Sequence, residues 1–250
     1  MRSENSEDYI QMNKKHWNTW AKRDWRYKTC RLKHIRDGEP YIEKFEPKLA
    51  PYLRNIKGKK VIVFQFGDGL VMLACAKKGA TVTGVDFSSE QIRLARKAAE
   101  YCGVNVKLVE ADCQNLPKTA PRNYFDLVVT ECGIFCWIQN PETWMKNACE
   151  VLKKNGKLAV SDFHPISVIS EEKDGKITFK KSYFDQCPEE YKPEKDVPTA
   201  VLFLWKLSDI INAAIRAGFQ IEYVEEYYAE QEDKKVPILP TDFLLVAKKT

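Results

Sequence analysis

The chain of 250 residues has only three histidines, His16, His34 and His164, and no Cys-x-x-Cys pair among its eight cysteines. Neither residue type shows ligand spacing, so no metal site is expected. No stretch approaches the roughly 20 apolar residues that span a bilayer. The N-terminus, Met-Arg-Ser-Glu-Asn-Ser-Glu-Asp, lacks an apolar run, which predicts neither a signal peptide nor an anchor. Internal repeats and low-complexity tracts are missing, which argues against solenoids and arrays. The net charge is only +5, with bases interleaved among acids, so the dense basic stripe of a nucleic-acid binder is absent. What is present, 44% hydrophobic and 12% aromatic residues, suits one globular domain with a sizeable core. Most cysteines lie in apolar segments, which predicts reduced, buried thiols in a soluble cytoplasmic protein.

The hydrophobic period changes along the chain. Residues 1–57 read as helical, with Trp17 and Trp20 on one helix face and an apolar stripe through Tyr41, Phe45 and Leu49. Val61–Phe64 is a continuous apolar run, the mark of a strand buried on both faces. A helix over Leu70–Lys78 follows, then a strand over Thr81–Val85 and a helix capped by Ser88 and stopped at Gly103. Further strands are predicted at Val104–Val109, Phe125–Val129 and Lys157–Ser161. A helix from Pro141 to Leu152, stopping near Asn155-Gly156, separates the last two. Residues 165–204 break the rhythm and read as an insertion, a hairpin around Asp174-Gly175 plus a loop. A helix over Leu207–Ala217 leads to two strands, Gln220–Tyr227 and Phe243–Ala247. The linker between them has no helix pattern, so they form a hairpin and the last strand runs antiparallel. The expected fold is a Rossmann-like three-layer α/β sandwich with a mostly parallel seven-stranded sheet, an antiparallel last strand and an N-terminal helical lid.

Ligands of such sheets bind beyond the carboxyl ends of the strands. After the first strand comes Gln65-Phe66-Gly67-Asp68-Gly69, whose glycines allow a tight turn and close backbone approach to a ligand. Asp86 closes the second strand, where a carboxylate can accept both hydroxyls of a ribose. Asp112 closes the third, placed for an adenine amino group. A nicotinamide enzyme would show a third glycine where Met72 stands, so a nucleoside ligand without pyrophosphate fits better.

Residues 60–165 resemble the core of the class I S-adenosylmethionine-dependent methyltransferases, closest to the small-molecule, ubiquinone/menaquinone-methylase type. The resemblance lies in Thr-Val-Thr-Gly-Val-Asp-Phe-Ser (81–88), Glu-Ala-Asp-Cys-Gln-Asn-Leu-Pro (110–117), Phe-Asp-Leu-Val-Val (125–129), Glu-Val-Leu-Lys-Lys-Asn-Gly-Lys-Leu (150–158) and Ala-Gly-Phe (217–219). It covers about four-fifths of the chain; the N-terminal helices and the insertion match poorly. It implies S-adenosylmethionine as cofactor and S-adenosylhomocysteine as product. By the same resemblance Gly67, Asp68 and Gly69 wrap the methionine portion, Asp86 binds the ribose diol and Phe87 packs on the adenine. Asp112 and Cys113 meet the adenine edge, and the segment Thr130, Glu131, Cys132 borders the methionine and the acceptor. Two positions depart from the family pattern. Val63 replaces an acid, and Gln65 replaces a glycine and either reaches the cofactor or narrows the pocket.

A sulfonium methyl needs alignment and exclusion of water more than activation. His164 is the leading candidate base, with Glu131 and Asp162 behind it. Tyr9, Trp17 and Trp20 are candidate lid aromatics, able to face a cation. Cys132, Phe135 and Trp137 either line the acceptor pocket or fill the core. The expected organisation is a lid (1–57), a cofactor-binding core (60–164), an insertion that sets acceptor specificity (165–204) and a C-terminal helix and hairpin (205–250). The expected activity is methyl transfer to O, N or C of a small metabolite. RNA or protein methylation and a non-catalytic Rossmann-like binder are the alternatives, and oligomeric state is left open.

Overall fold

In the computed structural model the described residues are 5–23, 25–173, 176–193, 195–228 and 239–250. Past Lys60, strand β1 (Lys60–Phe64) is apolar because both faces are covered. Val61 and Val63 pack into one core, Ile62 and Phe64 into another. It leads through a turn into α4 (Leu70–Lys77), then β2 (Thr81–Asp86), α5 (Ser89–Cys102), β3 (Val106–Glu110), β4 (Phe125–Glu131), α6 (Pro141–Val151) and β5 (Leu152–Phe163). Short α7 (Pro165–Ile169) precedes two small antiparallel pairs: β6 (Ser170–Lys173) with β7 (Lys176–Phe179), and β8 (Glu189–Tyr191) with β9 (Ala200–Leu202). The Asp174-Gly175 turn expected there lies outside the described residues, as does most of the last linker. Helix α8 (Leu207–Arg216), β10 (Phe219–Tyr227) and β11 (Asp242–Lys249) complete the chain.

Among the described residues the main sheet has seven strands in the order β3-β2-β1-β4-β5-β11-β10. Only β11 runs against its neighbours, pairing antiparallel with both β5 and β10. One face carries α2 (Trp25–Arg36), α3 (Tyr41–Phe45), α4 and α5; the other carries α6 and α8. The Rossmann-like three-layer arrangement expected from the hydrophobic period is therefore present. The strand order reverses between β1 and β4, which opens a crevice at their carboxyl ends. No helix among the described residues is long and apolar enough to cross a membrane.

Two boundaries differ from the expectation. The chain leaves α6 at Leu152, not near Gly156, and β5 runs from Leu152 rather than Lys157. Leu152 pairs with Phe125 of β4, and Asn155, in a left-handed conformation, lets the chain stay in the sheet. The helical stripe through Leu49 also ends early. Helix α3 stops at Phe45, and Leu49 is buried from a turn.

The first helix, α1 (Asn5–Arg23), lies across α5 and β9. Its buried Asn13 pairs with Val201 in both senses: Nδ2 donates to the carbonyl at 2.9 Å, and the Val201 N–H donates to Oδ1 at 2.7 Å. One turn on, His16 Nδ1 is 2.9 Å from the Pro198 carbonyl. On the α5 side, Asn18 Oδ1 accepts from the Ser88 hydroxyl at 2.7 Å and from the Glu90 N–H at 3.2 Å. Ser88 itself caps α5 by accepting from the Gln91 N–H.

Candidate active site

The turn after β1 is held by backbone geometry. Gly67 and Gly69 both have positive φ, and Gly69 forms the N-cap of α4 in a left-handed conformation that favours glycine. The Gly67 N–H donates to Asp86 Oδ2 at 3.2 Å, while Asp86 Oδ1 accepts from the Ser88 N–H at 2.9 Å. Asp86 thus ties the β1 turn to the end of β2. Gln65, standing where a glycine was expected, also has positive φ, 48°. Its amide oxygen accepts from the indole N–H of the fully buried Trp144 at 2.7 Å. The side chain is anchored to α6, which keeps it from filling the turn.

Beyond these strand ends lies a cleft of about 270 Å³. Trp17, Trp20 and Trp137 form its aromatic wall, Gly67 and Asp68 its floor, and Asp86 and Phe87 one side. Gln65, Phe87 and Trp137 also border a second, small cavity of about 20 Å³ that is lined by Asp112, Cys113 and Gln114. Ile10 and Asn13 of α1 roof this end. Burial raises the Asp112 carboxyl, and the Gln114 backbone N–H, donating at 2.8 Å, opposes the shift.

At the opposite end of the cleft, Glu131 closes β4. Glu46, which follows α3, lines the same cleft; burial raises both carboxyls, Glu131 further through the charges of Glu46 and Asp68, while Glu131 and Arg31 hold Glu46 back. Cys132 stands in this wall, its thiol pushed up to about 12 by desolvation and then by the adjacent acids. The segment that follows is fixed by Asp162 of β5. Its carboxylate accepts from the backbone N–H groups of Gly133 (2.5 Å), Ile134 (2.8 Å), Phe135 (2.8 Å) and Phe163 (2.8 Å). Burial pushes Asp162 up to about 6, and those four donors hold it from going further.

Several residues singled out from the sequence lie elsewhere. His164 caps α7, with Nδ1 accepting from the Ile166 N–H at 3.1 Å. Its Nε2 sits 2.7 Å from Glu226 Oε1. It is 5% exposed and does not line the cleft; burial lowers its pKa. Phe135 is core, edge-on to Trp144 with centroids 5.4 Å apart. Tyr9 packs edge-on against Phe203. Thr130 is buried, its hydroxyl donating to the Phe64 carbonyl at 2.8 Å across β4 and β1. Trp17, Trp20, Glu131, Cys132 and Trp137 do share the cleft. Sequence reasoning missed Glu46 and Tyr41, and also Asn13 and Asn18, whose partners are far away in the chain.

The comparisons fit this geometry. Residues 64–160 match the methyltransferase domain family. The S-adenosylmethionine-dependent methyltransferase of Mesorhizobium loti superposes with a TM-score of 0.64 at 22% identity, over 80% of this chain and 97% of that one. That match covers less than half of the chain, and the likeness in fold extends over most of it. A ubiquinone biosynthesis O-methyltransferase of Coxiella burnetii is 37% identical to it over 107 residues, 43% of this chain and 44% of that protein. The aligned part thus spans less than half the length of such relatives. An uncharacterized methyltransferase of Bacillus subtilis is 29% identical over 172 residues, 66% of this chain and 67% of that protein. The cleft of this chain is lined by the acids Glu46, Asp68, Asp86 and Glu131 and by Arg31, between aromatic walls.

Proposed function

We propose that this chain transfers a methyl group from S-adenosylmethionine to an oxygen, nitrogen or carbon nucleophile of a small-molecule acceptor. The observation that carries the reading is the cleft itself. It is a compact space walled by three tryptophans, continuous with the turn after β1 and roofed by α1. Its acidic lining disfavours a polyanion, which counts against RNA. The anchored side chain of Gln65 leaves the turn clear, which counts against a domain that has lost its cofactor. The described cysteines are free thiols, in keeping with a reducing cytoplasm.

S-adenosylmethionine supplies an electrophilic methyl group. In this reading the chain supplies binding, orientation and dryness. Gly67, Asp68 and Gly69 receive the methionine portion, Asp86 the ribose hydroxyls, Phe87 the adenine face, and Asp112 with Cys113 its edge. Trp17, Trp20, Cys132 and Trp137 border the acceptor and exclude water. Glu131, unlike His164, lines the cleft. Asp162 and His164 act as positioning residues. The 165–204 segment touches α1 through β9 and is the part expected to set acceptor choice.

Calorimetric titration with S-adenosylhomocysteine tests the site. The wild type is expected to bind in the micromolar range, and Asp86→Ala to weaken binding about tenfold or more through loss of charge-assisted hydrogen bonds. Equal affinity in both would remove Asp86 from the ribose site. Methyl transfer from labelled cofactor to a metabolite set then tests the acceptor class; transfer only to RNA or protein would refute it.

A further inference from the structure

The two faces of the sheet are covered unequally. On one face α4 and α5 pack over β1, β2 and β3. On the other, α6 and α8 lie against β5 and β10. Parallel sheets are usually covered by helices on both faces. The segment from β3 to β4 forms no helix that would extend the second cover. The second face of β1, β2 and β3 is therefore left as a groove of about 540 Å³, walled by Leu116, Pro117 and Tyr124 of that segment. It shares no lining residue with the cleft or with the small cavity beside it.

Strand alternation decides what faces this groove. Val61, Val82, Val106 and Leu108 turn to the core under α4 and α5. Their neighbours Lys60, Thr81, Thr83 and Lys107 turn the other way and line the groove. The register places Lys60 beside Thr81 and Thr83 beside Lys107, so two hydroxyls lie between two lysines near the amino ends of the strands. Adjacent strands are roughly 5 Å apart, within reach of a lysine's four-carbon stem, so both ammonium groups can meet over β2. Further along the strands the lining turns apolar, with Ile62, Val85, Val109 and Phe125. Among the described residues no acid lines the groove. Asp126 and Glu150, next in sequence to the lining residues Phe125 and Val151, are held by Lys153 and Arg122. Lys60 Nζ stands 3.7 Å from the centroid of the Tyr124 ring, a contact that does not neutralise its charge.

A site with cations at one end and an apolar wall at the other fits an anion with an apolar body. The lining holds no arginine fork and no helix N-terminus, the usual partners of a phosphate. Two separate ammonium groups with hydroxyls between them suit a carboxylate. We propose that this groove is a ligand site separate from the cleft, taking a small carboxylate with an apolar body. The carboxylate sits between Lys60 and Lys107, and the body lies against Ile62, Val85 and Val109. Nothing in this requires the cleft to hold a cofactor.

Saturation-transfer NMR and calorimetry with the full chain test the site, with decanoate as the probe. Decyltrimethylammonium, with the same chain and the opposite charge, is titrated beside it. Decanoate is expected to bind saturably, one per chain, and about tenfold or more tightly than the cation. Lys60→Gln/Lys107→Gln should weaken decanoate binding about tenfold or more, by loss of two charge-assisted hydrogen bonds. Thr83→Phe puts a ring into the groove and should abolish decanoate binding; if that variant misfolds, the lysine variant decides. Four results would overturn the proposal: no saturable binding of decanoate, equal binding of the cation, unchanged affinity in the lysine variant, or displacement of decanoate by S-adenosylhomocysteine, which would put it in the cleft.

Discussion

Gln65 shows how two small energies of opposite sign meet at one residue. A non-glycine residue with φ of 48° carries a strain of about 1–2 kcal/mol. Against this, its amide oxygen satisfies the indole N–H of Trp144, and an unsatisfied buried donor costs about 1–3 kcal/mol. The hydrogen bond and the packing around it are expected to win. Gln65→Gly should lower stability by about 1–2 kcal/mol in urea unfolding, although it removes the strain; a more stable variant would show that the strain dominates. Glu131 carries a pH signature. Its pKa is raised by burial first and by Glu46 next, so the folded chain keeps a proton that the unfolded chain releases in the ordinary carboxyl range. Its contribution to stability is full at acid pH and is lost as pH rises through the raised value. Thermal melts of Glu131→Gln should therefore gain on the wild type as pH rises from about 4 to 8. A constant or shrinking difference would contradict the assignment. At both residues the sequence marked the position, Gln65 as a departure from pattern and Glu131 as a strand-end acid. The partners Trp144 and Glu46 lie 79 and 85 positions away, and no local period reports them.

At the scale of elements, α1 matters most for access to the site. Its helical character is legible from the spacing of Trp17 and Trp20, and both residues do face the cleft. Where it docks is decided by polar side chains: Asn13 on β9, His16 on the Pro198 carbonyl and Asn18 on the start of α5. Asn13→Ala would leave the Val201 N–H and carbonyl without partners and should destabilise the docking by about 2–4 kcal/mol. Since Asn13 and Ile10 roof the Asp112 end of the cleft, the variant should exchange amide hydrogens in α1 faster and release S-adenosylhomocysteine faster. Unchanged exchange in α1 would mean that the tryptophans, not Asn13, hold the helix down. The boundary between α6 and β5 is a second case. Asn155-Gly156 reads locally as a stop, yet the chain is already extended from Leu152, because β4 offers it a pairing edge. Sheet pairing overrides a local turn signal when both neighbouring strands are in place.

For the whole molecule, the cleft lies where β1, β2 and β4 end and where α1 and the segment after β5 meet over them. Ligand binding should therefore stabilise the chain as a unit. S-adenosylhomocysteine at about 100 times its dissociation constant should add about 2.7 kcal/mol. For a chain of this length that corresponds to a rise in Tm of about 5–10 °C, in a single transition. A second transition insensitive to ligand would show that the part unfolding there does not share the site. The sequence by itself determined the layer order, the strands buried on both faces and the antiparallel end of the sheet, because hydrophobic period, glycine and capping residues act over a few neighbours. It also placed Gly67, Asp86 and Asp112 at successive strand ends, since the fold puts such ends on one edge. Only the tertiary structure decided that Glu46 meets Glu131, that Asp162 gathers the backbone of residues 133–135, and that His164 caps a helix outside the cleft. These contacts join residues distant in the chain through directional bonds. Their geometry is set by how whole elements pack, which no local pattern of residues records.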